Sequence, residues 1–310
     1  MQKKNSINIF LRLTDMDYSQ ILKDLKPEKE FFAGIDSDGC VFDTMELKQK
    51  EFFIPNGIKY FNLFPIAGIV RETWEFVNLY SVHRGVNRFP ALVKVFELLA
   101  QRKEVAEAQV KLPDIEPLKE WISKENKLGN PSLKLYCEKN PEPFLKTVLH
   151  WSVAINAEIS KWVKGVSPFP NARECIERIS DKADSIVVSQ TPIEALEREW
   201  KEHKIDKYVN LIAGQEHGTK TEHIAFGAKG KYPDDKILMI GDAPGDLEAA
   251  KQNNVLFYPV IPGKESESWR KLADEAFDKF LEGAYKGDYE NMLLGEFKRA
   301  LPEVPPWIRK

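Results

Sequence analysis

Four short apolar runs and one weaker one punctuate this chain. Phe31–Ile35 (FFAGI) comes first and stops abruptly at Asp36. Ser185–Ser189 (SIVVS), Ile237–Ile240 (ILMI) and Val255–Val260 (VLFYPV) come much later, with the weaker run over Tyr208–Ala213. Runs this short and unbroken suit strands buried on both faces, as in a parallel sheet. Helical spacing fills the intervals between the late runs. Ile193, Leu196 and Trp200 recur on one face, Asn171 stands ready to cap Ala172–Asp181, and Pro244–Gln252 follows another run directly. Strand and helix in alternation predict an α/β core of the doubly wound, Rossmann-like class with a parallel sheet.

Between the first run and the late ones the strand signal nearly disappears. Ile69, Trp74, Phe76, Val77 and Tyr80 fall at helical spacing, as do Leu92, Val93, Phe96 and Leu99, and Leu145, Val148, Leu149, Ser152 and Ile155. This stretch predicts a helical cap over 44–166 inserted into a core made of 31–43 and 167–263, with Gly165–Pro170 as the returning linker. Residues 1–30 form an expected N-terminal extension with a short helix near Tyr18–Leu25. Residues 264–310 predict two charge-rich amphipathic helices packed on the core, ending at Pro305 and Pro306. The aromatic stretch Phe52–Phe64 reads as cap packing.

Composition narrows the function classes. With 45 Lys and Arg against 48 Asp and Glu, the net charge of −3 removes the main electrostatic reason to expect nucleic-acid binding. No apolar run approaches the roughly 20 residues that cross a bilayer, and the N-terminal stretch lacks a signal-peptide core. Three cysteines without a CxxC pair exclude a disulfide framework and a Cys-rich zinc site. The expectation is a soluble cytoplasmic protein of about two domains.

The informative side chains lie just after the apolar runs, at the strand ends that form the ligand crevice of an open parallel sheet. Asp36-Ser37-Asp38-Gly39 and Asp43 follow the first run, and Ser189 closes the second. Lys220 lies in the Gly-flanked loop GQEHGTK, and Gly241-Asp242 follows the run Ile237–Ile240 with Asp246 one helical turn on. Two bare carboxylates about 4 Å apart repel by roughly 4 kcal/mol at an effective dielectric near 20. Three of them call for a cation, and an all-oxygen shell suits Mg²⁺. Mg²⁺ with Lys220 lets a phosphate dianion approach. No cysteine is placed as nucleophile and Ser189 has no adjacent histidine, so an aspartyl-phosphate route is the chemistry best supported. An EF-hand loop is excluded, because Gly39 falls at position four rather than six.

These residues resemble the haloacid dehalogenase-like hydrolase superfamily, in its capped phosphatase subgroup. The DxDGxxxD pattern matches Asp36, Asp38, Gly39 and Asp43; a strand-ending hydroxyl matches Ser189; a lone lysine matches Lys220; and GDxxxD matches Gly241, Asp242 and Asp246. The resemblance implies Asp36 as nucleophile and Asp38 as general acid and base, with Ser189 and Lys220 on the phosphoryl oxygens. It implies Mg²⁺ held by Asp36, Asp38 (through its carbonyl) and Asp242, with Asp246 in support. Having an acid at position 38 points away from dehalogenases and phosphonatases. The expected reaction is Mg²⁺-dependent hydrolysis of a small phosphorylated metabolite, and the substrate and oligomeric state stay open. A sugar phosphomutase, or a non-catalytic phosphate-binding scaffold that keeps the fold, is the alternative.

Within the cap, Ser81–Arg88 reads as a loop between two helices. Its His83, Arg84 and Arg88 either read a second anionic group on the substrate or complement a helix C-terminus. His217, beside Lys220, reads as an ordinary loop histidine.

Overall fold

A computed structural model describes residues 18–308 of the chain. Of the expected extension over 1–30, residues 1–17 lie outside the described residues; Tyr18–Asp24 is helical, as the sequence predicts. Five parallel strands form one sheet in the order β3-β2-β1-β4-β5. They are β1 (Phe31–Ile35), β2 (Ala183–Val188), β3 (Leu211–Ala213), β4 (Ile237–Gly241) and β5 (Leu256–Pro259). Ile35 lies opposite both Val187 and Ile240, so the chain leaves β1, β2 and β4 at one edge of the sheet.

The unbroken apolar strands are explained by burial on both faces. Ala33, Ile35, Val187, Leu238 and Ile240 pack with Ile176 of helix Ala172–Lys182, Trp200 of helix Ile193–Glu202 and Trp269. Their neighbours Phe32, Ile186, Val188, Met239 and Phe257 turn to the other side, against Leu22, Ile224 and Ala250. Side chains alternate across a strand, so each run feeds two cores at once. Helix Asp288–Ala300 lies along β5 and gives Leu293 to one core and Phe297 to the other, which covers an edge that would otherwise be free to pair.

Between β1 and β2 every regular element is a helix. Residues 44–60 run as one continuous helical segment, with π-type Gln49–Phe53 between Thr44–Lys48 and Ile54–Tyr60. A separate hydrophobic core forms here around Trp151 of helix Pro143–Trp162, whose ring lies 5.9 Å from both Phe53 and Trp74. Of the aromatic stretch, Phe53 and Phe61 are buried, whereas Phe64 is exposed. The chain leaves and re-enters the sheet domain side by side, with the Phe169 amide donating to the Val41 carbonyl at 2.8 Å. The inserted helices thus form a cap joined to the core by two adjacent segments.

Several local expectations need correction. The run Tyr208–Ala213 is strand only from Leu211. Asp206–Tyr208 is a 3₁₀ turn, and the Asn210 side chain takes the Ser185 amide at 2.8 Å in place of a ladder bond. Asn171 precedes its helix but does not cap it. Its left-handed backbone turns the amide group away, to donate to the Ser266 carbonyl. The C-terminal segment is more than two helices on the core. Beyond Leu301 the chain crosses to the cap, where the Pro302 carbonyl accepts from the Val82 amide. Trp307 packs on Phe76 and 4.4 Å from the Arg102 guanidinium.

Candidate active site

Three strand ends converge at the edge where the sheet order reverses about β1. The Asp36 amide donates to the Ile240 carbonyl of β4, which carries Asp36 beside the segment that starts with Asp242. Asp36, Asp242 and Asp246 are buried, and each brings a carboxylate oxygen to within 4.8 Å of the others. Asp246 opens helix Pro244–Gln252, and its Oδ2 accepts from the amides of Asp242 at 3.2 Å and Ala243 at 3.0 Å. That reciprocal turn fixes both acids of the GDxxxD pattern in one rigid unit.

Lys220 supplies the counter-charge. Its Nζ lies 3.0 Å from Asp36 Oδ1 and 2.6 Å from Asp246 Oδ1. The residue is the first of helix Lys220–Gly227, capped by Thr219, and not part of an open loop as expected from the flanking glycines. Burial alone would lower the Lys220 pKa, but Asp246 and Asp36 outweigh it and raise it, so the ammonium stays charged. Burial, reinforced by Asp246, pushes the Asp36 carboxyl well above the usual range despite Lys220.

Asp38 stands apart from this group. Its Oδ1 accepts a short hydrogen bond from Thr44 and its Oδ2 accepts from Lys48 Nζ at 2.6 Å. Burial would raise its pKa, but Lys48 and Thr44 prevail and hold it below the ordinary carboxylate value. The expected metal role of Asp38 therefore does not extend to its carboxylate, which the three-acid group does not include. Ser189 sits one residue past β2, with its amide on the Ala213 carbonyl and its hydroxyl accepting from Thr191. Asp43 is exposed at its outer side, and partial burial followed by Glu46 pushes its carboxyl up to about 6.

The cap loop divides the three cationic candidates. Arg84 reaches the site: its Nε and Nη2 lie 2.7 and 2.6 Å from Asp242 Oδ2, while Nη1 donates to the Leu79 carbonyl at a helix C-terminus. Arg88 does not; it staples two cap helices by donating to Ser152 and Asn156 and lies over the Phe53 ring. His83 is partly buried, with Lys94, Glu303 and Glu97 as its charged neighbours. His217 is buried, its Nδ1 accepting from the Gly214 amide and its ring edge-on to Tyr18.

Three residues escaped the sequence reading. Thr44 and Lys48 flank Asp38 because they sit one turn apart on the helix that follows it, a spacing visible in DTMELK. Glu199, on helix Ile193–Glu202, is pushed up to about 7 by burial and then by Asp38. No local pattern marks it, since its neighbours are brought by tertiary packing.

The donor set fits a hard divalent cation. It is all oxygen, three carboxylates share the space, and Asp242 Oδ1 is buried with no hydrogen-bond partner. No helix in the described residues is long and apolar enough to cross a membrane.

Residues 87–260, more than half of the chain, match the family model described as haloacid dehalogenase-like hydrolase. No curated protein sequence matches. Among solved structures, a haloacid dehalogenase-like hydrolase from Streptococcus pneumoniae aligns over 86% of this chain and 98% of its own, at 12% identity and a TM-score of 0.41. A candidate phosphoglycolate phosphatase from Lactobacillus delbrueckii aligns over 74% and 85%, at 16% identity and 0.42. The L-2-haloacid dehalogenase of Xanthobacter autotrophicus aligns over 88% and 94%, at 12% identity and 0.36. By the family model, and with the parallel α/β core and strand-end acids in hand, the chain belongs to the haloacid dehalogenase-like hydrolases.

Proposed function

We propose that this hydrolase cleaves a small phosphomonoester, with Asp36 as the nucleophile and Asp36, Asp242 and Asp246 as the carboxylates that hold Mg²⁺. The observation that carries the reading is the joint placement of Asp36, Lys220 and Asp38 at the end of β1. One carboxylate faces an ammonium within a three-acid group, while a second is held separately two residues on. Mg²⁺ bound there supplies charge neutralisation, which lets a phosphate dianion approach a carboxylate.

In this reading an Asp36 oxygen attacks phosphorus and the bond to the leaving oxygen breaks. Asp38 gives that oxygen its proton. Water then attacks the aspartyl-phosphate, Asp38 takes the water's proton, and the bond between phosphorus and Asp36 breaks. Lys220 and Ser189 hold the phosphoryl oxygens while charge shifts onto them. In the present conformation Lys48 and Thr44 favour ionised Asp38, the form needed as base; to act as acid it must take up a proton before the leaving oxygen departs. The cap closes over the crevice and excludes bulk water.

Phosphate release from a panel of sugar phosphates, nucleotides and phosphoglycolate, with Mg²⁺ or with EDTA, tests the proposal. Metal-dependent turnover that disappears in Asp36→Asn is the expected result. Halide release from a 2-haloacid, with no phosphate released from any ester, would overturn it. Turnover that requires a bisphosphorylated activator would replace hydrolysis with phosphoryl return, as in a mutase.

A further inference from the structure

We infer that Arg84 is a positioning residue that ties the cap to Asp242, so that cap closure and metal binding favour one another. The inference rests on the metal reading above and adds to it a link between the cap and the cation.

Arg84 belongs to the cap loop between helices Ala67–Leu79 and Arg88–Ala100, whereas Asp242 follows β4 in the core. Its side chain is only 4% exposed, and Asp242 is fully buried. Each guanidinium nitrogen has an acceptor: Nε and Nη2 share Asp242 Oδ2, Nη1 takes the Leu79 carbonyl, and Nη2 also lies 3.5 Å from the Gly39 carbonyl. A guanidinium engaged in this way is not free to grip a substrate anion, as the sequence reading allowed. The loop around it is seated with equal firmness. Gly85 approaches so closely that a Cβ there would meet the Ala243 Cβ at 2.9 Å, and the Val82 amide is held by the Pro302 carbonyl.

The contact divides the two oxygens of Asp242. Arg84 occupies Oδ2, and Oδ1 is left buried without a partner. A buried acceptor in that state is costly unless a cation takes it. Charge alone works against this, since the guanidinium also repels the ion, so the link rests on how Arg84 orients Asp242. Three carboxylates against Lys220 and Arg84 leave one net negative charge, which a divalent cation turns into one net positive charge for an arriving phosphate dianion. Opening the cap withdraws Arg84 from Asp242. A cation that binds better to the held carboxylate therefore stabilises the closed cap by the same factor.

Calorimetric titration with Mn²⁺ alone, beside hydrogen exchange of the peptide spanning Ser81–Asn87, tests the link without substrate. In the native protein Mn²⁺ should slow exchange in this loop, although none of its side chains would ligate the ion. In Arg84→Met the Mn²⁺ affinity should fall by about 10- to 100-fold, the usual range for removing a group that orients a metal ligand, and loop exchange should stop responding to the ion. Arg84→Lys keeps the charge but not the paired contact; it should fold and give an intermediate loss, and it carries the comparison if Arg84→Met does not fold. Affinities within about threefold of native in both variants, far short of that range, would overturn the inference. So would a native loop indifferent to Mn²⁺. A native protein that binds no Mn²⁺ overturns the metal reading itself. Loss of Mn²⁺ in Asp242→Asn, with Arg84 variants unaffected, overturns only the role of Arg84.

Discussion

Replacing Lys220 with methionine removes the ammonium that bridges Asp36 and Asp246 and leaves their carboxylates buried. Its Nζ lies 3.0 Å from one and 2.6 Å from the other. At an effective dielectric near 20 these contacts amount to roughly 5 to 6 kcal/mol each, much of it offset by the cost of desolvating the ammonium. The three acids left behind, within 4.8 Å of each other, then repel by at least roughly 3.5 kcal/mol per pair on the same scale. Proton uptake relieves part of that repulsion, so the net cost should be that of breaking a buried ion pair, about 3–5 kcal/mol. Urea denaturation followed by tryptophan fluorescence at neutral pH, in EDTA, measures it. With saturating Mg²⁺ the deficit should shrink below about 2 kcal/mol, because the cation replaces the lost charge. Lowering the pH should shrink it too. Burial raises the folded pKa values of Asp36 and Asp242 above their unfolded ones, so their destabilisation is absent below the unfolded values and grows as pH rises through the folded ones. A deficit under about 1 kcal/mol in EDTA, or one that Mg²⁺ leaves unchanged, would refute the charge-balance argument.

Two further perturbations probe the same site. An alanine Cβ at Gly241 would lie 2.4 Å from Asp246 Cβ and Cγ. Gly241→Ala should therefore displace Asp246, cost about 1–3 kcal/mol in thermal unfolding and weaken Mn²⁺ binding by calorimetry; native affinity would show that Asp246 is not needed. Glu199, whose pKa is raised to about 7 by burial and Asp38, makes the folded state hold a proton that the unfolded state has already lost. Stability then falls as pH rises from the unfolded value to about 7 and levels off above it. Glu199→Gln should remove that slope and stabilise the protein by about 1–3 kcal/mol above pH 7, discounted for partial exposure. A gain independent of pH between 5 and 8 would count against the raised value.

The core and its acids were legible because both depend on short stretches of chain. A strand buried on both faces must be apolar along its length, so FFAGI, SIVVS and ILMI announce themselves, and the polar residues that end each run or follow it within two positions stand at the crevice. Asp36, Ser189 and Asp242 follow from that rule alone. The cap, too, was readable as helix, because its apolar spacing is local. What the sequence could not settle was which side chain meets which across the cap and core. Arg84 and Arg88 are four residues apart and look alike in the sequence, yet packing sends one to Asp242 and the other to Ser152 and Asn156. Asp38 carries the same motif as Asp36, but a turn of helix placing Thr44 and Lys48 beside it separates the two carboxylates. The crossing of the C-terminal segment onto Phe76 and Arg102 belongs to the same class. Backbone periodicity is set by neighbours along the chain. The pairing of charges depends on where separate elements come to rest against each other, and only the tertiary structure decides that.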